Sequence, residues 1–211
     1  MRTLPWALSL SLMEVLRFGH CGWWWKLRWA IWKEFQDLDM SEAMRRHGWE
    51  GTNELSYGET PSVTMARILE LAGLPPGSSL LDLGAGRGSA VLTAACLGYQ
   101  ARGIEIVGEY VERAQRVAAR LATEVELRQG DMLEIDWPRA DLYLLNSTAF
   151  PEGFRGELLE KLVGLEKGAL VATYDWGLGL QNFHERVALT LPVTRGTVVC
   201  RLYRIGRAGD S

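Results

Sequence analysis

The fold of this chain is decided by the stretch Leu80-Leu81-Asp82-Leu83-Gly84-Ala85-Gly86-Arg87-Gly88. Its first half predicts a short buried strand, and residues 89–97 predict a helix that packs against that strand. The glycines between them let the backbone approach a ligand without interference from a β-carbon. The run 101–106 predicts a second, parallel strand. Glu105 lies near its end, about 20 residues after Gly84, where a carboxylate can accept hydrogen bonds from two ribose hydroxyls.

The spacing of the glycines separates two kinds of nucleotide ligand. A dinucleotide-binding turn has glycines at its first, third and sixth positions. Here they occupy the first, third and fifth, and Ser89 is sixth. A pyrophosphate gains nothing from Asp82, the acid just before the turn, but a ligand with a cationic amino group does. The pattern resembles motif I of class I S-adenosylmethionine (SAM)-dependent methyltransferases. That resemblance implies SAM as the cofactor, bound by Asp82, Gly84, Gly86 and Gly88, whereas a Rossmann-like protein with another ligand is the alternative.

The rest of the chain predicts alternating helices and strands. We expect helices at 109–122 and 154–165, and strands at 125–128, 141–145 and 169–174. Residues 187–192 and 197–205 predict a closing antiparallel hairpin. Right-handed crossovers then give an α/β, doubly wound, mostly parallel sheet of the Rossmann-like methyltransferase class, with the ligand at the carboxyl ends of the strands. We expect one methyltransferase domain over 55–206, preceded by a Trp-rich helical extension (1–54) and followed by a tail (207–211).

The N-terminal segment has an unusual composition. Six of the nine tryptophans lie in residues 1–32, and residues 1–33 carry five basic side chains against one acid, Glu14. The apolar run 4–16 is shorter than the roughly 20 residues that span a bilayer, and it lacks the cleavage site of a secretory signal. Residues 23–35 predict an amphipathic helix. This helix suits either a lid or flank packed on the domain, or peripheral contact of residues 1–35 with a membrane interface.

The net charge bears on the kind of partner, and the cysteine content bears on metal binding and on the cellular compartment. The net charge is −3, which makes a nucleic-acid partner less favoured. The three cysteines and three histidines are scattered without metal-ligand spacing, so we predict no metal site and expect Cys96 and Cys200 in the core. An odd number of cysteines fits a reducing compartment. We therefore expect a cytoplasmic protein, peripheral at the inner face of a membrane if residues 1–35 make that contact.

Two polar residues follow later strands of the predicted sheet. Asp131 comes directly after the third strand, where methyltransferases of this superfamily usually have an acid that binds the adenine amino group. Asn146 ends the fourth strand, where its side-chain amide can orient the SAM amino group or hold the nucleophile. An exposed turn aspartate and a loop-capping asparagine are the respective alternatives.

The segment after Asn146 also disfavours one class of enzyme. Enzymes that methylate exocyclic base amines or glutamine amides resemble one another in an Asn/Asp-Pro-Pro-aromatic tetrad at this place. Here Ser147 and Thr148 replace the two prolines.

A narrower resemblance extends over roughly residues 55–206. Tyr57-Gly58-Glu59-Thr60 resembles a conserved loop of the disruptor-of-telomeric-silencing (non-SET) histone-lysine methyltransferases. Asn146-Ser147-Thr148-Ala149-Phe150 keeps three residues of their Asn-Asn-Phe-Ala-Phe motif. The ATP synthase c-subunit lysine methyltransferases are similar in a hydrophobic N-terminal segment and in an end that resembles 172–176 and 202–205. This chain departs from the histone enzymes at Ser89 and Ser147 and lacks their basic tail, so a chromatin substrate is not implied.

This resemblance implies a role for each matched residue. Tyr57 and Thr60 close over the methionine part of SAM, Gly84 and Gly86 contact it through backbone, Glu105 binds ribose, Asp131 binds adenine, and Asn146 lies beside the methyl group. Tyr57 and Thr60 also fit a turn that starts a helix over 63–71.

Methyl transfer to an amine requires positioning and exclusion of water. A lysine nucleophile must be neutral, and an apolar channel walled by Tyr57, Phe150 and Trp176 would lower its pKa. Asp175 either accepts the proton or is a solvated acid at a strand end. We predict a SAM-dependent methyltransferase acting on protein lysine, with Asn146, Tyr57 and Asp175 as catalytic residues. The alternatives are a small-molecule or RNA methyltransferase and a non-catalytic SAM-binding protein.

Overall fold

The computed structural model describes residues 5–38, 59–150 and 152–206. Its helices are α1 (Trp6–Phe18), α2 (Gly22–Phe35), α3 (Ser62–Ala72), α4 (Ser89–Cys96), α5 (Gly108–Leu121) and α6 (Glu152–Val163). Its strands are β1 (Ser79–Leu83), β2 (Gln100–Glu105), β3 (Glu126–Gln129), β4 (Leu142–Leu145), β5 (Leu170–Tyr174), β6 (Phe183–Val193) and β7 (Gly196–Ile205). The predicted domain boundary at residue 54, the tail from 207 and Tyr57 lie outside the described residues.

The described strands form one sheet in the order β3-β2-β1-β4-β5-β7-β6. Strands β1 to β5 are parallel, β7 is antiparallel to β5, and β6 and β7 form a hairpin. Strands β1, β4 and β5 are apolar and buried along nearly their whole length because helices cover both faces of the sheet. The predicted doubly wound sheet with a closing hairpin is confirmed.

The hairpin is longer than the sequence predicted. Strand β6 begins at Phe183, four residues before the predicted start at Val187, and pairs there with Ile205 of β7. A bulge interrupts the pairing between Glu185 and Val187. The missed part carries His184, Glu185 and Arg186 on an edge strand, so backbone pairing with β7 extends the strand where an apolar alternation is absent.

Helix α1 is held against the start of α3. The Glu14 carboxylate is 2% exposed and accepts a hydrogen bond from the Ser62 backbone N–H at 2.8 Å. An acid at this position satisfies an unpaired N–H and complements the positive end of the α3 dipole. Arg17 forms an ion pair with Glu70, and the Trp6 indole N–H donates to the Val193 carbonyl at 2.9 Å.

Helix α2 is held against α5 by charged groups. Glu34 is 8% exposed and forms ion pairs with Arg116 and Arg120, at 2.8 and 2.6 Å. Their hydrogen bonds lower the pKa of the Glu34 carboxyl. Arg113 bridges Asp37 and Glu109, at 2.6 and 2.8 Å. The predicted flank packed on the domain is therefore observed for α1 and α2. No helix in the described ranges is both long and apolar enough to cross a bilayer.

Candidate functional site

The Gly-rich turn lies at the carboxyl ends of β1 and β2, where the topology predicts a ligand. Gly84, Gly86 and Gly88 all have positive φ angles. The backbone N–H groups of Gly84 and Ala85 both donate to the Ile104 carbonyl at 2.9 Å, which holds the turn against the end of β2. A β-carbon at Gly88 would lie 3.1 Å from that of Ala114, so this glycine lets α4 pack closely on α5.

Glu105 fixes the geometry of this turn. Its carboxylate accepts hydrogen bonds from the backbone N–H of Gly86 at 2.7 Å and of Val107 at 3.0 Å, and the residue is 8% exposed. The carboxylate therefore stands at the end of β2, as the spacing from Gly84 predicted, and its ribose role stays a prediction.

Asp82 is the second acid at this edge and is 4% exposed. Burial, and then the negative charge of Glu105, raise the pKa of the Asp82 carboxyl to about 7. A cation placed beside two such carboxylates would stabilise the ionised form of Asp82. The pair is thus suited to a ligand that carries both a positive charge and hydroxyl donors.

The loops after β1, β3 and β4 meet around Gly84. A β-carbon there would lie 3.3 Å from Cε of Met132 and 3.9 Å from Cζ of Phe150. Met132 follows Asp131 after β3, and Phe150 belongs to the loop after β4. The structure therefore brings three of the predicted segments to one place, and the φ of +89° at Gly84 favours a residue without a side chain there.

Asp131 begins a turn that closes this side of the site. One carboxylate oxygen accepts from the Leu133 N–H at 2.8 Å, and the Asp131 carbonyl accepts from the N–H groups of Glu134 and Ile135, both at 3.1 Å. The side chain thus caps its own turn, and its adenine role stays a prediction.

The loop after β4 is anchored to β5 and α6. Ser147 is fully buried, and its hydroxyl donates to the Tyr174 carbonyl at 2.6 Å. Arg155 donates to the Ser147 carbonyl at 2.8 Å, and its guanidinium lies 5.7 Å from the centre of the Trp176 ring. Asn146, half-buried, accepts from the Thr148 hydroxyl at 3.0 Å. Ser147, which replaces a proline of the tetrad, therefore ties the Asn146 loop to β5.

Thr60 reaches the end of β5 from another direction. Its hydroxyl lies 3.1 Å from the Tyr174 hydroxyl, and both groups are buried. The phenol pKa of Tyr174 is raised well above its ordinary value, chiefly by burial. The Thr60 hydroxyl therefore has a neutral phenol as its partner, and any contact with the cofactor stays a prediction.

Asp175 has a different environment from the other predicted site residues. It is exposed, has a φ of 50°, and accepts from the Val199 N–H at 2.7 Å through its carboxylate. Its own N–H donates to the Val199 carbonyl at 2.9 Å. These bonds attach it to β7, as expected for an acid that ends a strand, and they connect it to no other predicted site residue.

The sequence assigned no role to two residues of the site region, Arg87 and Glu59. Arg87, within the Gly-rich turn, forms an ion pair with Glu59, and the Ser89 hydroxyl donates to the same carboxylate at 3.2 Å. The Arg87 guanidinium also lies 5.6 Å from the centre of the Phe35 ring at the end of α2. Glu59 was visible in the Tyr57–Thr60 match, but its partner is 28 residues away.

The thiols of the domain are poor nucleophiles. Cys200 is buried, as predicted, whereas Cys96 is half-buried. Burial raises the pKa of Cys96 to about 11 and that of Cys200 to about 12. At neutral pH both are thiols rather than thiolates.

Comparison with known proteins finds methyltransferases. Residues 74–176 match a family model described as a methyltransferase domain. The crystal structure of an RNA methyltransferase from Salinibacter ruber, in complex with S-adenosyl-L-homocysteine, is similar with a TM-score of 0.57. It is 30% identical in sequence, and the match covers 70% of this chain and 94% of that one.

Two curated relatives carry different substrate names. A histone-lysine N-methyltransferase, H3 lysine-79 specific, from Cryptococcus neoformans is 29% identical over 137 residues, covering 57% of this chain and 21% of that protein. A protein-L-isoaspartate O-methyltransferase from Gloeobacter violaceus is 32% identical over 137 residues, covering 64% and 63%. The chain thus spans about a fifth of the length of the first relative and under two thirds of the second.

The Rossmann-like sheet, the Gly-rich turn and these matches define a class of enzyme. This chain belongs to the class I SAM-dependent methyltransferases. SAM fits the residues present, because the turn of Gly84, Gly86 and Gly88 brings backbone without side chains to this edge of the sheet, and the buried Asp82 and Glu105 offer acceptors for a cationic, hydroxyl-bearing molecule.

Proposed function

We propose that this enzyme methylates the side-chain amine of protein lysines. The observation that carries the proposal is the loop after β4, which begins with Asn146 and in which Phe150 lies beside the Gly-rich turn. Phe150 approaches within 3.9 Å of the position of a Gly84 β-carbon. The Asn-x-x-Ala-Phe pattern of this loop resembles that of the non-SET histone-lysine methyltransferases, and the Cryptococcus neoformans relative has that activity in its name.

Bound SAM supplies a methyl group on a sulfonium, which is already activated for displacement. The chain's own residues then have to bind SAM, align the acceptor amine with the methyl group and exclude water from both. Asp82 would hold the amino group, Glu105 the ribose and Asp131 the adenine. Asn146 would align the incoming amine through its amide, and Tyr57 would close over the methionine part of SAM.

The acceptor must reach the methyl group as a neutral amine, although a free lysine has a pKa of about 10.4. Phe150 packs on Phe154 with ring centres 5.0 Å apart. Trp176, whose ring the Arg155 guanidinium covers, is 7% exposed. Apolar walls of this kind disfavour the ammonium form and so lower the lysine pKa. Asp175 would take the proton only if the acceptor reaches the β5–β7 edge, where its carboxylate is bonded.

RNA methylation is the second candidate, because the Salinibacter ruber enzyme is named for it. The net charge of −3 and the missing Pro-Pro tetrad favour lysine over RNA. Esterification of a protein carboxyl is named in the Gloeobacter violaceus relative. These reactions give chemically different products, so one labelling experiment separates them.

The test is transfer of radiolabelled methyl groups from SAM to a cell lysate, which is then divided into protein, RNA and small-molecule fractions. We expect label in protein that survives mild base, since N-methyl groups are stable and methyl esters are hydrolysed. Glu105→Ala enzyme serves as the control for background labelling. Label confined to RNA or small molecules, or released by base, would overturn the lysine assignment while leaving the cofactor assignment intact.

A further inference from the structure

Helices α1 and α2 expose most of the large apolar side chains found on the described surface. Ten such residues are at least 36% exposed, and eight of them lie on these two helices: Leu8, Leu12, Met13, Val15, Leu16, Trp25, Trp29 and Trp32. Leu16 is 74% exposed and Trp32 is 60% exposed. A concentration of this kind marks an interaction surface, whereas single exposed apolar residues are ordinary.

This exposure is not that of a detached segment. Each helix buries one stripe against the domain: Leu10, Glu14 and Phe18 on α1, and Trp24, Leu27, Ala30, Glu34 and Phe35 on α2. At 3.6 residues per turn, the exposed side chains lie on the opposite sides of both helices. The cap from Glu14 to Ser62 and the ion pairs of Glu34 hold the helices in this orientation. The outward side of α1 and α2 is therefore a fixed face, called here the Trp-Leu face.

The exposed charged side chains within residues 5–33 have one sign, and two of them also have acidic partners: Arg17 pairs with Glu70 of α3, and Arg28 lies 3.6 Å from the buried Glu14 carboxylate. Residues 5–33 contain four cationic side chains, Arg17, Lys26, Arg28 and Lys33, and all four are exposed. The single acid in this range, Glu14, is 2% exposed. The Lys33 ammonium lies 4.9 Å from the centre of the Trp29 ring, so cation and indole share one site on the surface. The face thus offers apolar and positive groups to an anionic partner.

We propose that the Trp-Leu face docks peripherally on an anionic lipid bilayer, with α1 and α2 lying in the plane of the headgroups. Tryptophans beside lysines and arginines are typical of the membrane interface, where the indole sits at headgroup level and the cations meet lipid phosphates. A protein partner fits less well, because lysine is depleted in the centres of protein interfaces. A second copy of the chain would bring like charges together. This surface is independent of the identity of the methyl acceptor.

The full-length protein can be sedimented with phosphatidylcholine vesicles that contain either no phosphatidylserine or about 30% of it. We expect binding to the anionic vesicles, weakened by raised salt because screening reduces the attraction of the cations. The W29S/W32S variant should lower the vesicle affinity at least tenfold. V163S/L189S, which removes two exposed apolar side chains elsewhere, should leave it unchanged.

A charge variant separates the contribution of the cations to vesicle binding from that of the tryptophans. K26E/K33E should lower affinity for anionic vesicles at least tenfold, since each basic side chain near such a surface contributes several-fold to binding. Unchanged binding of S-adenosyl-L-homocysteine and an unchanged melting temperature show that each variant is folded. Equal sedimentation of wild type and W29S/W32S would overturn the proposal. So would a concentration-dependent dimer that W29S/W32S abolishes in protein that does not bind vesicles.

Discussion

Replacement of Asp82 by asparagine is expected to stabilise the protein as the pH rises and to weaken its hold on SAM. The folded state keeps a carboxyl of pKa about 7 at this position, against an ordinary value of 3.8. Between these two values the folded chain binds a proton that the unfolded chain has released. The contribution of Asp82 to stability is therefore complete below about pH 4 and is lost as the pH rises towards 7. The amide of the Asp82→Asn variant has no such proton to lose.

The size of the effect follows from the pKa shift. Each pH unit in this window changes stability by about 1.4 kcal/mol, so the interval from pH 5 to pH 7 gives about 2–3 kcal/mol. For a chain of this length that corresponds to roughly 5–10 °C in Tm. We expect the Tm of Asp82→Asn minus that of wild type to increase by this amount between the two pH values.

The assay is a thermal melt of both proteins at half-unit steps from pH 5 to 7. Asp141→Asn is the matched control, because hydrogen bonds from Ser79 lower the pKa of the Asp141 carboxyl. Its difference from wild type should be flat in this range, where Asp141 is ionised in both the folded and unfolded states. Calorimetry should show that SAM affinity rises with pH for wild type and stays constant for Asp82→Asn. A pH-independent Tm difference for Asp82→Asn would show that the folded protein does not hold a proton on Asp82.

Three further predictions concern the site and its support. Glu105→Ala should weaken binding of S-adenosyl-L-homocysteine at least tenfold by calorimetry, because bonds to two ribose hydroxyls are worth about 0.5–1.5 kcal/mol each; unchanged affinity would contradict the ribose role. Asn146→Ala should reduce kcat at least tenfold with little change in SAM affinity, because alignment acts in the transition state; a loss of affinity alone would refute it. Glu14→Ala should lower Tm by about 4–8 °C, because the buried carboxylate that caps α3 is worth about 2 kcal/mol. Glu70→Ala, which removes an exposed ion pair of α3, should lower Tm by less than about 3 °C.

The fold could be predicted because its signals are local. The strand, the Gly-rich turn and the helix from 80 to 97 are contiguous, and the rule for right-handed crossovers then orders the parallel strands. Strand β6 was predicted too short because its first residues are polar and its pairing depends on β7. Cys200 was predicted in the core because it lies in an apolar run.

The site was predicted less completely, because its chemistry depends on contacts between distant residues. The position of Glu105 follows from spacing, but the raised pKa of Asp82 depends on burial by the whole sheet. The Glu14 carboxylate caps a helix that begins 48 residues later. The Glu59–Arg87 pair and the Thr60–Tyr174 contact likewise join segments with no shared sequence pattern. The assigned roles of Asp131, Asn146 and Asp175 remain predictions.

Asp82, the Gly-rich turn, Glu105 and Asp131 are inferred to form the SAM site together, and every assigned role depends on this. The decisive measurement is a crystal structure of the protein with S-adenosyl-L-homocysteine. We expect both ribose hydroxyls within hydrogen-bond distance of the Glu105 carboxylate, the adenine amino group at Asp131 and the ammonium at Asp82. A ligand whose ribose lies away from Glu105, or whose ammonium is held by other acceptors, would contradict this assignment.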